Sequence, residues 1–566
     1  MSPTELAVLV PLAAALVVSA VPRSEPGLVR GLGLLGCLIE LVVIATLLLG
    51  WDPEGAAVQQ STLRPWLPSF GVAWSLGLEG SVLAPLSLIG LVFPLALMIG
   101  QRPRPGEPPL VVGMLVLQSA WVAVLLARDL VVLATCWEIA TVTMVVLLGE
   151  RGDGKQGVPG RTAAARRFAA HVLPGAAAWI AAVALLGVAH SHASAGTWSW
   201  DIDAVAQVVM PAKLQTLGFV LVMITLATSL PLVPLQGWLG PIGASGPTPT
   251  LAVLMGVGMP MAVVLLQRVA LPLFPLAAGE WADPLAALAI VGATYAALAC
   301  WAEREPGRLL GHAALLHGSM AVLAVLAGTG ASWLALGPIV LAQGLGLTLL
   351  ALVFGWLRRR QVGNLGELAG WAAVAPRALA MAIAGVLVLG GLPGTVGFFG
   401  QLDLGIALLA REGDPAASVS TSLELLHPRT WALLAPLLLG LGTLGLLRTL
   451  WHAARGRPRP ALHERLSEID RREQIVGAIV IALAIGLSLL VGPLAQRSRA
   501  AQQRAVDDFH RARCLAIEAR EQPRPRMRAE LVSLCLDPAA RIRQVYGLPG
   551  AELGGHEGHE HEEHEP

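Results

Sequence analysis

The sequence predicts an all-α membrane protein of about fourteen transmembrane helices with a polar C-terminal tail. Three observations predict it. Over 566 residues the chain is 55% hydrophobic and only 14% charged, with a mean hydropathy of +0.67, against about 25% charged in ordinary globular domains. Apolar runs of membrane length recur along nearly the whole chain. The segment Leu235–Arg268, LQGWLGPIGASGPTPTLAVLMGVGMPMAVVLLQR, sets a Gly/Pro-rich break between two such runs. In lipid, unpaired backbone is tolerated only where protein buries it or a wet cavity lines it. That break therefore marks an expected ion-pathway position.

A span needs about 20 mostly apolar residues. The candidates are Leu6–Val21, Gly31–Leu49, Ser81–Gly100, Leu110–Ala127, Leu130–Leu148, Ala165–Val188 and Leu214–Val233. Then follow Thr250–Leu271, Leu285–Ala302, Leu309–Ala327, Trp333–Leu357, Leu379–Gly400, Trp431–Trp451 and Ile475–Leu494. Glu5 precedes the first run and no basic, small-residue cleavage pattern accompanies it, so it reads as a span and not as a removed signal. Four regions are expected: an N-terminal two-helix region and loop (1–76), a translocation core (77–411), C-terminal transmembrane helices (412–495) and a polar tail (496–566).

Basic residues orient the chain. With the N-terminus outside, the inner loops carry Arg23 and Arg30; Arg102 and Arg104; Arg151, Lys155, Arg161, Arg166 and Arg167; Arg304 and Arg308; Arg358, Arg359 and Arg360; and Arg455, Arg457 and Arg459. The outer loops are poorer, with Arg64, Lys213, Arg411 and Arg429. This places the N-terminus and the tail outside a bacterial-type inner membrane. In the tail, Ala500–Arg520 and Arg526–Leu536 read as short amphipathic helices. The terminal HEGHEHEEHEP holds His556, His559, His561 and His564, a weak metal-binding pattern better read as a solvated tail. Net charge is +1, so nothing points to nucleic acid. The five cysteines are scattered, with Cys37, Cys136 and Cys300 in apolar runs and Cys514 and Cys535 in the tail. No metal spacing, dinucleotide fingerprint or phosphate loop is present, and no cofactor is expected.

Ionisable groups inside spans are costly and default to functional hypotheses. Glu138 follows Trp137 at mid-span, where a carboxyl can serve a proton relay. Arg166, Arg167 and His171 at the head of the next span read as inner-face anchors or as cations facing Glu138. Glu40, in the second span, reads as structurally paired, and Arg128 and Asp129 as paired or snorkelling at a span boundary. His312 and His317 sit five apart on one span; histidine titrates near physiological pH, and either can pass protons or simply pack. Ser229, Ser319, Gln343 and Thr348 can hold water or join helices.

Five blocks carry a family resemblance: ARDLVVLATCWEIA, AAARRFAAHVLPGA, VPLQGWLGPIGASGPTPTLAVLMG, GRLLGHAALLHGSM and GGLPGTVGFFGQ. In this order they resemble the antiporter-like membrane subunits of respiratory complex I (NADH:quinone oxidoreductase) and of Mrp cation/proton antiporters. The resemblance implies fourteen helices with inverted five-helix repeats, broken helices near the midplane, and a file of Glu, Lys and His residues carrying protons. Here the departures matter. The family glutamate is kept as Glu138. The broken-helix lysine falls at Ser229, the next helix's lysine near Pro260 or Met261, and the twelfth-helix lysine at Gln401. Gln236 and Pro241 replace a His and an Asp, and Gln343 and Leu347 stand where His and Lys are usual. The expected pathway is thus Glu138, His317, His312, Ser229, Gln343 and Gln401 with water. The expected role is a non-redox proton-translocating membrane subunit, partnered by other membrane subunits and by protons or monovalent cations. The alternatives are a non-conducting scaffold of such an assembly, the membrane partner of an energy-coupled inorganic-carbon uptake system, and an independent cation/proton antiporter, which the missing lysines disfavour.

Overall fold

The computed structural model describes residues 1–99, 108–149, 157–230, 232–410, 428–457 and 466–519. The chain is an all-α multi-pass membrane protein. Its N-terminal bundle comprises α1 (Pro3–Ser19), α2 (Pro26–Leu49), α3 (Leu83–Met98) and α4 (Pro108–Leu126). Then come α5 (Leu130–Gly149), α6 (Gly157–Ala193), α7 (Ala212–Ser229), the short α8 (Leu239–Ser245) and α9 (Thr248–Leu273). The second half holds α10 (Pro275–Ala302), α11 (Pro306–Leu326), α12 (Gly330–Arg359), α13 (Pro376–Leu389), α14 (Val396–Ala410), α15 (Pro428–Ala454) and α16 (Arg471–Leu489). Twelve of the described helices are long and apolar enough to cross a membrane. The shorter α1, and α13–α14 taken as one broken span, complete the expected set.

Three helices form the centre. The apolar windows of α9 and α11 are 94% buried and that of α12 is 89% buried, whereas those of α2 and α16 are only 33% buried. Backbones meet closely where α9 crosses α12. A Cβ on Gly256 would lie 3.0 Å from the Gly344 carbonyl oxygen, and one on Gly344 would lie 2.7 Å from that of Gly256. Only glycine allows this approach.

Proline placement explains the interruptions. In α9, π-turns occupy Leu254–Gly258 and Leu266–Ala270. Each lies one turn before a proline, Pro260 or Pro272, which has no N–H for the carbonyl four residues back. The wider turn accommodates that loss. Between α7 and α8, Pro234 likewise forbids a continuous ladder. Between α13 and α14, Gly391 and Gly394 take φ of +68° and +93°, a backbone open to glycine at no steric cost.

The two ends of the bundle differ. At one end lie two of the arginines expected inside: the Arg304 carbonyl accepts from Leu365 N at 2.8 Å, and that of Arg455 from Gly370 N at 2.7 Å. At the other end a two-stranded antiparallel hairpin, β1 (Val58–Leu67) and β2 (Val72–Glu79), covers the helix ends. The sequence predicts a loop here; the β-branched and aromatic residues Val58, Thr62, Trp66, Val72 and Trp74 suit a strand pair. The described part of the tail lies in one long helix, α17 (Val491–Glu518); the sequence predicts a helix there over Ala500–Arg520. It lies across the hairpin end, with Gln267 Nε2 donating to Gln502 Oε1 at 2.6 Å and Arg504 Nη1 to the Gly55 carbonyl at 2.9 Å. Cys514 on α17 is disulfide-bonded, which its sequence context had not suggested. The second expected tail helix and His556, His559, His561 and His564 lie outside the described residues.

Candidate functional site: a broken-helix junction at the bundle centre

The first break is held by side chains that answer its exposed carbonyls. Trp238 Nε1 donates to the Thr228 carbonyl at 3.0 Å, and Ser229 Oγ to that of Thr225 at 3.2 Å. Thr225 Oγ1 in turn bonds the Gly175 carbonyl of α6 at 2.8 Å. Phe168 of α6 meets Trp238 edge-to-face at 4.9 Å. Beyond the break, α8 ends on a cation. Arg358, 4% exposed, donates to the Gly243 carbonyl at 2.5 Å and to that of Gly246 at 3.1 Å. A guanidinium at a helix C-terminus answers both its open carbonyls and its dipole. Read from sequence, Arg358 was one of three inner-face arginines; its place at the end of the central helix α12 gives it this further task.

Around this break the sequence-predicted residues partly converge. Ser229, at the end of α7, lines a small cavity of about 40 Å³ with Trp121, Trp137, Phe168 and the first π-turn of α9. That is room for water. On α11, His317 is 2% exposed. A Cβ on its neighbour Gly318 would lie 3.9 Å from Gln343 Nε2 of α12 and 4.0 Å from the Leu230 carbonyl oxygen of the break. So α7, α11 and α12 meet at one point. Gln343 is wholly buried (0% exposed), and neither Oε1 nor Nε2 has a hydrogen-bond partner. One and a half turns further along α12, Thr348 Oγ1 is also buried and unpartnered, facing Gly256. Thr250 Oγ1 on α9 is in the same condition. Orphaned buried polar groups are rare and ask for water or a transported species.

The second break reaches the same stretch of α12. A Cβ on Gly397 of α14 would lie 3.0 Å from Ala342 Cβ, and one on Gly400 would lie 2.8 Å from Ile339 N. Gln401, half-buried, follows directly and packs toward Gly391 in the break. Gln343 therefore lies between the two broken spans.

Two predicted residues stand apart. Glu138 lies midway along α5 but on its rim, half-buried, between the exposed Ile139 and Thr135. Its Oε1 has no hydrogen-bond partner and no ion pair reaches it among the described residues. Arg166 and Arg167 are exposed, and the His171 ring turns to the Arg167 carbonyl at 2.7 Å. The facing-cation reading of these three gives way to anchoring. Trp137, the preceding residue, lines the Ser229 cavity, whereas Glu138 does not. His312 is half-buried and meets Tyr295 edge-to-face at 5.6 Å.

Charges concentrate instead at the hairpin end. Arg128 pairs with both Glu79 and Asp203. Arg268, on the second π-turn of α9, bonds Glu79 at 2.9 Å and the Ala127 carbonyl at 2.6 Å. Burial alone would push the Glu79 carboxyl up; the Arg268 and Arg128 guanidiniums outweigh it and hold it below the usual carboxylate range. Asp129 caps α5, accepting from Val131 N at 2.8 Å and Val132 N at 3.1 Å, and also binds Ala73 N of the hairpin at 2.9 Å. Arg128 thus pairs, with Glu79 and Asp203, whereas Asp129 accepts from backbone N–H groups. Sequence reasoning missed Glu79, whose signal is an acid directly before an apolar span. It also missed Asp403, two residues beyond Gln401 and within the electrostatic reach of Arg499. Glu40 corrects an expectation: it is fully buried in α2, and neither carboxyl oxygen has a hydrogen-bond partner.

Known proteins share this architecture. The chain is 28% identical over 488 residues to NAD(P)H-quinone oxidoreductase chain 4 3 of Trichormus variabilis, covering 85% of this chain and 86% of the relative. It is 26% identical over 349 residues to NADH-quinone oxidoreductase subunit M of Escherichia coli, covering 60% and 66%. The fold matches a chain of respiratory complex I from Thermus thermophilus with bound NADH, with a TM-score of 0.75 and 22% identity over 89% of this chain and 99% of that one. It also matches a chain of the Mrp complex from Dietzia sp., with a TM-score of 0.72 and 18% identity over 89% and 100%. The family model described as NADH:quinone oxidoreductase/Mrp antiporter, TM, matches residues 127–422, a stretch that contains both helix breaks together with Ser229, His317, Gln343 and Gln401. The chain belongs to that family.

Proposed function

We propose that the chain is a proton-conducting membrane subunit of a complex I-like or Mrp-like assembly, seated in a bacterial-type inner membrane with the hairpin, the N-terminus and α17 outside. One observation carries the conduction reading: Gln343, wholly buried with both amide atoms unpartnered, between two broken helices. Water there joins Ser229, Thr348 and the buried His317 into a hydrogen-bonded file. Protons cross by exchange along that file, and His317 takes and releases them. Glu138 and Gln401 mark its two lateral ends. The relatives' names, which describe subunits of quinone oxidoreductases, support the reading, as do the two complexes whose chains share the fold.

The half-exposed Glu138 and the apolar Ile139, Val142 and Val146 beside it suit a face that a neighbouring membrane subunit covers. The disulfide at Cys514 supports the orientation, because disulfides persist in oxidising compartments. The arginine-rich end agrees with it through the positive-inside rule. Redox chemistry, in this reading, belongs to partner subunits.

Proton flux in vesicles containing the purified chain tests the proposal, with Glu138→Gln alongside. Flux above that of empty vesicles, lowered in the variant, is the expected result. Flux equal to empty vesicles leaves a non-conducting scaffold. Affinity purification from native membranes tests the assembly: other membrane subunits should co-purify.

A further inference from the structure

The N-terminal bundle holds a buried acid that the central file does not use. Glu40 on α2 has 0% exposure, and both its oxygens lack a hydrogen-bond partner. One turn away on the same face, Cys37 Sγ donates to Gln118 Oε1 of α4 at 3.2 Å. The Gln118 Nε2 group is also buried and without a partner. Glu40 lies near enough to Cys37 to act on it electrostatically. Three polar groups from two helices are thus enclosed together, with two acceptors and one donor of hydrogen bonds unspent.

Among the described residues of α1–α4, no cation is at hand to balance a carboxylate there. The helices α3 and α4 contain no Lys, Arg, His, Asp or Glu at all. The one ionisable residue of α1 is Glu5, an acid itself, which is paired with Arg64 of the hairpin at 2.6 Å. On α2 the one basic residue is Arg30, ten residues away, or about 15 Å along the axis. A lone ionised carboxylate in such a place is far costlier than a neutral acid. A metal cation would need several oxygen ligands. The cluster offers three side-chain oxygens, one of them already accepting from Cys37. A proton needs neither ligands nor space.

We infer that Glu40, with Gln118 and Cys37, forms a second proton-binding site, lateral to the central junction and enclosed by α1–α4. Its ligand is a single exchangeable proton, carried on the Glu40 carboxyl with the Gln118 amide beside it. This site does not depend on the conduction reading, since a chain that conducts nothing would still bind the proton.

Infrared difference spectroscopy on the full chain in lipid vesicles tests it. Wild type minus Glu40→Gln should show the carbonyl band of a protonated carboxyl, and that band should move when the vesicles are transferred to deuterated water. Gln118→Leu should displace the same band. An absent band means an ionised group, and a band unmoved in deuterated water means a sealed one; either overturns the inference. Should Glu40→Gln fail to fold, wild type with carbon-13 carboxyl-labelled glutamate gives the same reading: the band must shift with the label and with deuterium.

Discussion

The bundle centre and its hairpin end handle polarity in opposite ways. At the centre, Gln343, Thr348 and Thr250 are neutral, buried and unpartnered. At the hairpin end, Glu79, Arg128, Arg268 and Asp203 are charged and bound to one another. The first arrangement leaves hydrogen-bonding capacity open to water or a passing proton. The second consumes its capacity and fixes the ends of β2, α5 and α9 against each other. Beside its two helix breaks the chain sets the neutral Ser229 and Gln401, and it gathers the Glu79, Arg128, Arg268 and Asp203 ion pairs at the hairpin end. Conduction and bracing are thereby separated in space.

This contrast can be broken at the bracing end first. Glu79→Gln removes the carboxylate that two guanidiniums share and leaves the buried Arg268 without its acid, while Arg128 keeps Asp203, so stability should fall by about 3–5 kcal/mol; thermal unfolding in detergent measures it. Arg358→Ala strips the cap from α8 and should cost about 1.5–3 kcal/mol, the range for hydrogen bonds to a charged group. Its melting curve should drop while the hairpin end stays intact by limited proteolysis. The centre should behave in the reverse sense. Gln343→Leu removes an unsatisfied amide and should leave stability unchanged or raise it by about 1 kcal/mol. The smallest effect is one of pH. Because Glu79 is held below its usual range, its contribution is fully present above the unfolded carboxylate value of about 4.3. It is lost only as pH falls through the lower folded value. The part of the melting temperature that Glu79→Gln removes should therefore stay constant from neutral pH to about 4.3 and decline below it, disappearing once pH has passed the lower folded value.

Much of this fold was legible in the sequence, because spans announce themselves by length and apolarity and because prolines mark where ladders must open. The break after Ser229 was readable for that reason, whereas the meeting of α7, α11 and α12 beside it follows from tertiary packing. The hairpin was not: between two spans, its strands read as a polar loop. Glu79 and Arg268 were also hidden as partners. They lie 189 residues apart, and nothing in either neighbourhood names the other. Arg358 looked like a topological signal, since an arginine run at a span end satisfies that rule whatever else it does. Glu40 shows the limit most plainly. A membrane glutamate is expected to find a partner, and only the packing of four helices reveals that none is offered. Glu138 was found by motif, yet its place on the rim of α5 follows from tertiary packing alone.

The most direct measurement is proton flux through vesicles containing wild type or Gln343→Leu at matched protein content. The account predicts flux in wild type and its loss, by an order of magnitude or more, in a variant that folds at least as well. Equal flux in the two proteins, or wild-type flux no greater than that of empty vesicles, would contradict it.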